Sequence, residues 1–329
     1  MTSTSLDIVA IGDAIVDVIA TCDDDFLVTH DLPKGSMRVL DAAQADALYA
    51  AMGPARETSG GSAANTMAGV AALGGRAGFV GQVADDQLGA IFTHDIRALG
   101  VGFDTPPKAN GSPTGRCLIL VTPDAQRTMN TFRGAAHELS VEALDEEQIR
   151  SAAILYLEAY LWRSAGPRGA MDAAMRIAHD AGRKVAFTLS DIACIEPHRP
   201  EIMAMLDSGS IDMLFANDAE IRSLARTDAR DEAIAAIRGK VPLLVVTCGA
   251  EGAMAVEAET EARVPIARIG KGVIDTTGAG DLFAAGFLVG QARGLGLGES
   301  LRIGSIAAAE VISHFGARPD AGLRELVGL

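Results

Sequence analysis

The chain has 329 residues, 49% hydrophobic and 22% charged, which suits a globular protein of one large domain with an appendage, or two domains. A formal net charge of −15 speaks against a surface that tracks a nucleic-acid backbone, and the six histidines include no i, i+4 pair, which excludes a zinc-protease helix. Cys22, Cys117, Cys194 and Cys248 show no C-x-x-C spacing and read as small buried hydrophobes of a reducing compartment.

The apolar stretch from Ile8 to Ala20 is interrupted by Asp13 and Asp17 and has no basic flank, so a secretory leader is not expected. No stretch approaches the roughly 20 uninterrupted apolar residues of a membrane span, and a soluble, cytoplasmic protein is the expectation.

Leu6–Ile11 is a compact apolar run that ends at Gly12, as a buried central strand does. Ile15–Ala20 and Met37–Leu40 are further short β-like runs, with the acidic Asp23–Asp25 between them reading as a solvated turn. Asp41–Met52 reads as a helix capped by Asp41. Ser59-Gly60-Gly61-Ser62-Ala63-Ala64-Asn65 then opens a small-residue helix, Ala63–Leu73; the glycines suit either a tight turn or close approach of a ligand to the backbone. Gly78–Val83 reads as a strand and Gln87–Leu99 as an amphipathic helix. The prolines at 106, 107 and 113 break regular structure in 103–115. Arg116–Thr122 and Arg127–Phe132 read as a hairpin about Pro123-Asp124.

From residue 152 the pattern alternates. Ala152–Leu157, Val185–Leu189, Met213–Ala216 and Leu243–Thr247 read as strands, with helices near Gly169–Ala181, Pro200–Asp207 and Ala219–Ile237. Such alternation predicts βαβ units and a parallel sheet covered on both faces. A β-like run, Arg263–Ile269, precedes terminal helices at Asp281–Arg293 and Gly298–Phe315. The expected fold is a three-layer α/β/α body with a central, mostly parallel sheet. Residues 1–12, 41–102 and 133–329 form that body, and 13–40 with 103–132 form a small β lid. Ligands in such sheets bind at the carboxyl ends of the strands.

The stretch Asp275-Thr276-Thr277-Gly278-Ala279-Gly280-Asp281 is the centre of the functional reading. Glycines just before a helix leave its first amides free at the positive end of the helix dipole, an anion site. Asp281 adds a carboxylate beside that anion, although capping alone also explains an Asp there. Asn217-Asp218-Ala219-Glu220 follows an apolar strand with the spacing of a capping box; the same oxygens suit Mg²⁺ held through its waters, and the cap is the stronger reading of that motif alone. No lysine precedes Ser or Thr, so a Walker loop is absent. His198-Arg199-Pro200 is not a protein-kinase catalytic loop. Gly12-Asp13-Ala14-Ile15 is not a dinucleotide fingerprint, which leaves redox chemistry a distant alternative.

Taken together, the Gly60–Asn65 run, Asn217 with Glu220, and Asp275–Asp281 resemble the three signatures of ribokinase-like (PfkB) small-molecule kinases, in order and across essentially the whole chain. Ala14–Asp17, Asp24–Leu27 and Phe132–Ala136 look most similar to bacterial adenosine kinase-type members. The resemblance implies transfer of the γ-phosphoryl group of ATP to a primary hydroxyl of a nucleoside or sugar, with adenosine first and a ribokinase- or fructokinase-type acceptor second. A nucleotide sensor without activity is the rival from another class. It further implies Asp281 as catalytic base, the amides of Gly278, Ala279 and Gly280 as an anion hole, and Arg127 near the transferred phosphate. Asp13, Asp17, Gly60, Gly61 and Asn65 would hold the acceptor, with Ile15, Met37 and Val39 as apolar walls. Thr247, Gly249 and Gly252 would line the ATP side with Asn217, Glu220 would serve Mg²⁺ with Asn217, and Asp275 and Thr277 with the 314–316 loop would form a monovalent-cation site, potassium being the candidate. Tyr160 and Trp162 are expected in the core. A monomer and a homodimer are both compatible with this pattern.

Overall fold

Short apolar runs without polar alternation suit strands covered on both faces, and they build the larger of two sheets. In chain order the strands are β1 (Leu6–Ile11), β2 (Ile15–Thr21), β3 (Met37–Val39), β4 (Arg56–Gly60), β5 (Ala77–Val80), β6 (Gly115–Val121), β7 (Arg127–Phe132), β8 (Ala152–Glu158), β9 (Lys184–Thr188), β10 (Met213–Asn217), β11 (Leu243–Thr247), β12 (Ala253–Val256) and β13 (Glu261–Val264). The helices are α1 (Asp24–Thr29), α2 (Ala42–Ala51), α3 (Ser62–Ala72), α4 (Gln87–Ala98), α5 (Glu146–Ser151), α6 (Ala159–Trp162), α7 (Ala165–Asp180), α8 (Ile192–Asp207), α9 (Asp218–Ala225), α10 (Arg230–Ile237), α11 (Ala279–Ala292), α12 (Leu297–Val311) and α13 (Leu323–Val327). The computed structural model describes residues 5–124, 126–268, 272–320 and 322–329.

The large sheet runs β13-β12-β11-β10-β9-β8-β1-β5, parallel from β11 to β5, with β12 and β13 turning back antiparallel. Alternate residues feed two cores. Ile8 and Ala10 of β1 join Met67 of α3, Leu282 and Phe287 of α11 and Leu301 of α12. Val9 and Ile11 join Met171 of α7, Ile195 of α8, Ile221 of α9 and Ile234 of α10 on the other face. This is the expected three-layer body.

The second sheet, β3-β7-β6-β2-β4, is mixed. Its alternation separates core from site: Val16, Val18, Leu118 and Leu120 enter the main core, whereas Ile15, Cys117 and Ile119 cluster on the opposite side, with Ile19 and Met129 against them.

Several elements differ from the sequence reading, each for a local reason. β4 (Arg56–Gly60) pairs antiparallel with β2, although its polar residues give little strand signal. The Asp23–Asp25 turn is the start of α1, because the Asp23 carboxylate accepts the Phe26 amide at 2.8 Å. The single helix expected over Ala219–Ile237 is two, since Arg226 takes a left-handed conformation (φ 58°) that closes α9. α8 begins at Ile192, where the Asp191 carboxylate accepts the Ala193 amide at 2.6 Å, and it continues through Pro197 and Pro200; prolines argue against a helix interior from sequence alone. β13 covers Glu261–Val264 and not the expected Arg263–Ile269, of which Ile269 lies outside the described residues. All four cysteines are free; Cys117 and Cys194 are buried, and Cys22 and Cys248 are half-buried. Among the described residues no helix is long and apolar enough to cross a membrane.

Candidate active site

The carboxyl ends of the parallel strands carry the polar residues. Asp13 follows β1, Glu158 ends β8, Asn217 ends β10 and Thr247 ends β11. Two helices point their N-termini at this edge: α3, entered through Gly61, and α11, entered through Gly278 in a left-handed conformation (φ 78°). They pack side by side, so their first turns converge. In the first turn of α11, Asp281 Oδ1 accepts the Ser62 hydroxyl at 2.6 Å and Oδ2 accepts the Asn65 amide Nδ2 at 3.0 Å. Burial raises the Asp281 pKa above the ordinary carboxylate value, with these two hydrogen bonds and the charge of Arg318 opposing.

Asp281 stands between two cavities. One, of about 450 Å³, is lined by Asp13, Asp17, Gly61 and Asn65 among others. The second, of about 420 Å³, is lined by Asn217, Glu220, Thr247 and residues 276–280. They meet along a shared wall of Met37, Ser62, Met129, Tyr160, Thr277 and Asp281. Two compartments touching at one carboxylate can hold two reactants with a proton acceptor at their junction.

In the first cavity Asp17, on the site-facing side of β2, is pushed up to about 6 by burial, with Arg318 and Arg127 opposing and Asp281 adding to the rise. Gly60 lies against it: a Cβ there would stand 2.4 Å from the Asp17 carboxyl carbon. Gly61 (φ 94°) would bring a Cβ within 2.1 Å of the Asp13 carbonyl oxygen, so no side chain fits where α3 meets β1. The Asp13 amide donates to Glu158 Oε1 at 2.6 Å, and the Ala63 amide to Glu158 Oε2 at 2.7 Å. Glu158 is fully buried and its carboxyl is held well above the usual range, by burial and then by the neighbouring Asp13 charge. Asp13 Oδ1 lies 3.3 Å from His137 Nε2, while His137 Nδ1 lies 2.6 Å from the Ser164 hydroxyl.

On the second side, the Ala279 amide donates to the Thr276 carbonyl at 3.2 Å, whereas among the described residues no hydrogen bond takes the amides of Gly278, Gly280 or Asp281. Among the described residues the amides left free in this loop are therefore those of 278, 280 and 281. Asn217 and Glu220 form the capping box: Asn217 Oδ1 accepts the Glu220 amide at 2.9 Å, and Glu220 accepts the Asn217 amide and Nδ2 at 2.9 and 2.6 Å. Burial pushes the Glu220 carboxyl up to about 7. A carboxylate so placed, lining the cavity, fits an Mg²⁺ that keeps its waters.

Asp275 is already fully engaged. Its Oδ1 accepts the Thr277 amide and hydroxyl at 3.0 and 2.7 Å; its Oδ2 accepts the Gly316 amide at 2.9 Å and pairs with Arg127 Nη2 at 2.5 Å. Arg127 Nη1 also donates to the Thr277 hydroxyl at 3.2 Å. With a guanidinium on its carboxylate, this arrangement does not fit a further monovalent cation.

Further residues take part in the site. Tyr160, expected in the core, lines both cavities and donates its hydroxyl to the Ser190 carbonyl at 3.2 Å; Trp162 is in the core. Arg318, held down to about 10 by burial, ties the loop after α12 to the site by donating to the carbonyls of Ala64 and Ser59 at 2.8 and 2.9 Å. Glu158 lies in no motif, although a charged residue ending an apolar parallel strand is a usable signal, and Ser62 lies in the Gly60–Asn65 run without an expected role of its own. Gly249 and Gly252 shape the turn between β11 and β12 and do not line the second cavity, which Thr247 does.

The chain matches the model of the pfkB family of carbohydrate kinases over residues 5–322 and belongs to that family. It is thus a kinase of the sugar and nucleoside class. It resembles the crystal structure of a probable sugar kinase protein from Rhizobium etli (44% identity, TM-score 0.93, covering 99% of this chain and 98% of that one). It also resembles the adenosine kinase of Sinorhizobium meliloti (46% identity, TM-score 0.91, 97% and 98% covered). Among curated sequences it is 31% identical to a 5-dehydro-2-deoxygluconokinase of Halalkalibacterium halodurans (77% of this chain, 79% of that protein). A probable fructokinase-5 of Arabidopsis thaliana is 27% identical (70% and 72% covered).

Proposed function

We infer that the protein is an ATP-dependent purine nucleoside kinase, with adenosine as an acceptor and AMP as its product. The observation that carries this reading is the position of Asp281 on the common wall of the two cavities. ATP enters on the side of residues 276–280 and Thr247, and the nucleoside on the side of Asp13, Asp17, Gly61 and Asn65. The acceptor's primary hydroxyl oxygen attacks the γ-phosphorus, its proton passes to the Asp281 carboxylate, and the bond to the bridging oxygen breaks to release ADP. The amides of residues 278, 280 and 281 meet the charge on the transferring group. Magnesium, when bound with ATP, neutralises phosphate charge; Asn217 and Glu220 would hold it through its waters. Asp17 and Asn65 accept from and donate to the ribose hydroxyls.

The small sheet acts as a lid, its Met37 and Val39 covering a flat base; both are about half exposed (47% and 53%), as residues awaiting a ligand would be. Potassium has no part in this reading, because Arg127 already neutralises Asp275. Fructokinase and 5-dehydro-2-deoxygluconokinase relatives support a second reading with a free sugar as acceptor. ADP release from Mg-ATP over adenosine, ribose, fructose and 5-dehydro-2-deoxygluconate separates the two. Turnover with adenosine is expected, and turnover confined to the sugars would overturn the nucleoside reading.

A further inference from the structure

Two guanidiniums in the acceptor cavity have no task in the chemistry described above. Arg133, just after β7, and Arg163, at the C-terminal end of α6, both line the cavity and are half-buried. Neither makes a hydrogen bond or an ion pair with any described residue. Other half-buried arginines do: Arg127 pairs with Asp275, Arg168 donates to the Trp162 carbonyl, and Arg318 donates to Ala64 and Ser59. Burial and the like charge of Arg163 both disfavour the Arg133 cation, with Asp13 opposing. Asp191 also lines this end, but its Oδ1 is occupied by the Ala193 amide. Two close cations without partners are unfavourable in the free protein unless a ligand brings paired acceptors.

The same cavity carries an apolar strip, Ile15, Met37, Val39, Ile119 and Met129, that suits a flat ring. A guanidinium fork matches two acceptors side by side, and O6 with N7 of a 6-oxopurine is such a pair, whereas adenine offers N7 beside an amine that donates. A sugar acid's carboxylate supplies the same paired acceptors but leaves the apolar strip bare. We propose that Arg133 and Arg163 read the base edge of the acceptor, and that the enzyme phosphorylates inosine and guanosine at least as efficiently as adenosine. The proposal rests on the nucleoside-kinase reading and narrows its substrate class.

The test measures kcat and KM of the full chain with Mg-ATP and adenosine, inosine, guanosine or 7-deazaguanosine, with ribose and 5-dehydro-2-deoxygluconate alongside. Guanosine and inosine should match or exceed adenosine in kcat/KM. Removing N7 should raise the KM for the guanosine scaffold about tenfold, and R133M and R163M should each do the same for guanosine with a smaller change in kcat. The 7-deaza comparison on the wild-type enzyme decides the matter even if a variant misfolds. Turnover of adenosine with none of inosine or guanosine overturns the proposal and leaves the nucleoside reading intact. Turnover of the sugar acid with no nucleoside accepted overturns both.

Discussion

The Ser62 hydroxyl donates to Asp281 across the junction of α3 and α11, at 2.6 Å, joining the first turns of the two helices through residues 219 positions apart in the chain. The bond favours the ionised carboxylate, which burial disfavours. Ser62→Ala should therefore raise the Asp281 pKa further. A base works only when deprotonated, so the acid limb of kcat/KM should move to higher pH, and the rate at pH 7 should fall about tenfold. A pH–rate profile checks this; a limb that does not move would reduce Ser62 to a helix-packing role.

Glu158 holds β1 and α3 together by accepting the amides of Asp13 and Ala63. Glu158→Ala leaves both buried donors unpaired, at about 1–3 kcal/mol each. Both carboxyl oxygens accept, whereas glutamine keeps one acceptor and turns an N–H donor toward the other amide. Urea unfolding should thus find Glu158→Ala destabilised by about 2–6 kcal/mol and Glu158→Gln by about 1–3 kcal/mol. A Glu158→Gln variant as stable as the wild type would contradict a side chain that accepts both amides.

Arg127 and Asp275 are 10% and 7% exposed, a buried pair that fastens β7 to the loop before α11. Removing one partner strands a buried charge, so Arg127→Met should cost about 3–5 kcal/mol of stability. The wild-type rate should be the same in potassium as in a bulky organic cation, and Arg127→Met should gain a potassium response as Asp275 loses its cation. Strong potassium activation of the wild type would refute the guanidinium-for-cation reading.

Glu220 is buried, with its carboxyl moved from 4.5 to about 7. The folded state holds its proton to higher pH than the unfolded chain does. Its contribution to stability is therefore complete below the unfolded value and lost as pH rises through about 7. The Tm of the free protein should decline between pH 5 and pH 8 more steeply than that of Glu220→Gln. Parallel curves would show that Glu220 ionises without penalty.

The layers, the strand order's parallel character and the hairpin at 115–132 were legible because apolar periodicity and turn residues encode them locally. So was the glycine motif at Gly60-Gly61, where the approach of the Asp17 side chain and the Asp13 carbonyl excludes a Cβ. Glu158 and Arg318 were not, because each acts through partners far away in sequence: Glu158 reaches Asp13 and Ala63, and Arg318 reaches Ser59 and Ala64. β4 escaped notice for a related reason, since its strand state comes from pairing with β2 and not from its own residues. The split of α9 from α10 depends on one left-handed residue, Arg226, whose type carries no such preference.

Asp281→Asn tests the central claim most directly, because it keeps the side chain's shape and removes the proton acceptor. Turnover of adenosine with saturating Mg-ATP should fall by about 10²–10⁴-fold, with ATP binding by calorimetry and the unfolding transition both close to wild type. A variant that turns over at the wild-type rate would contradict Asp281 as the base and leave it a cap on α11.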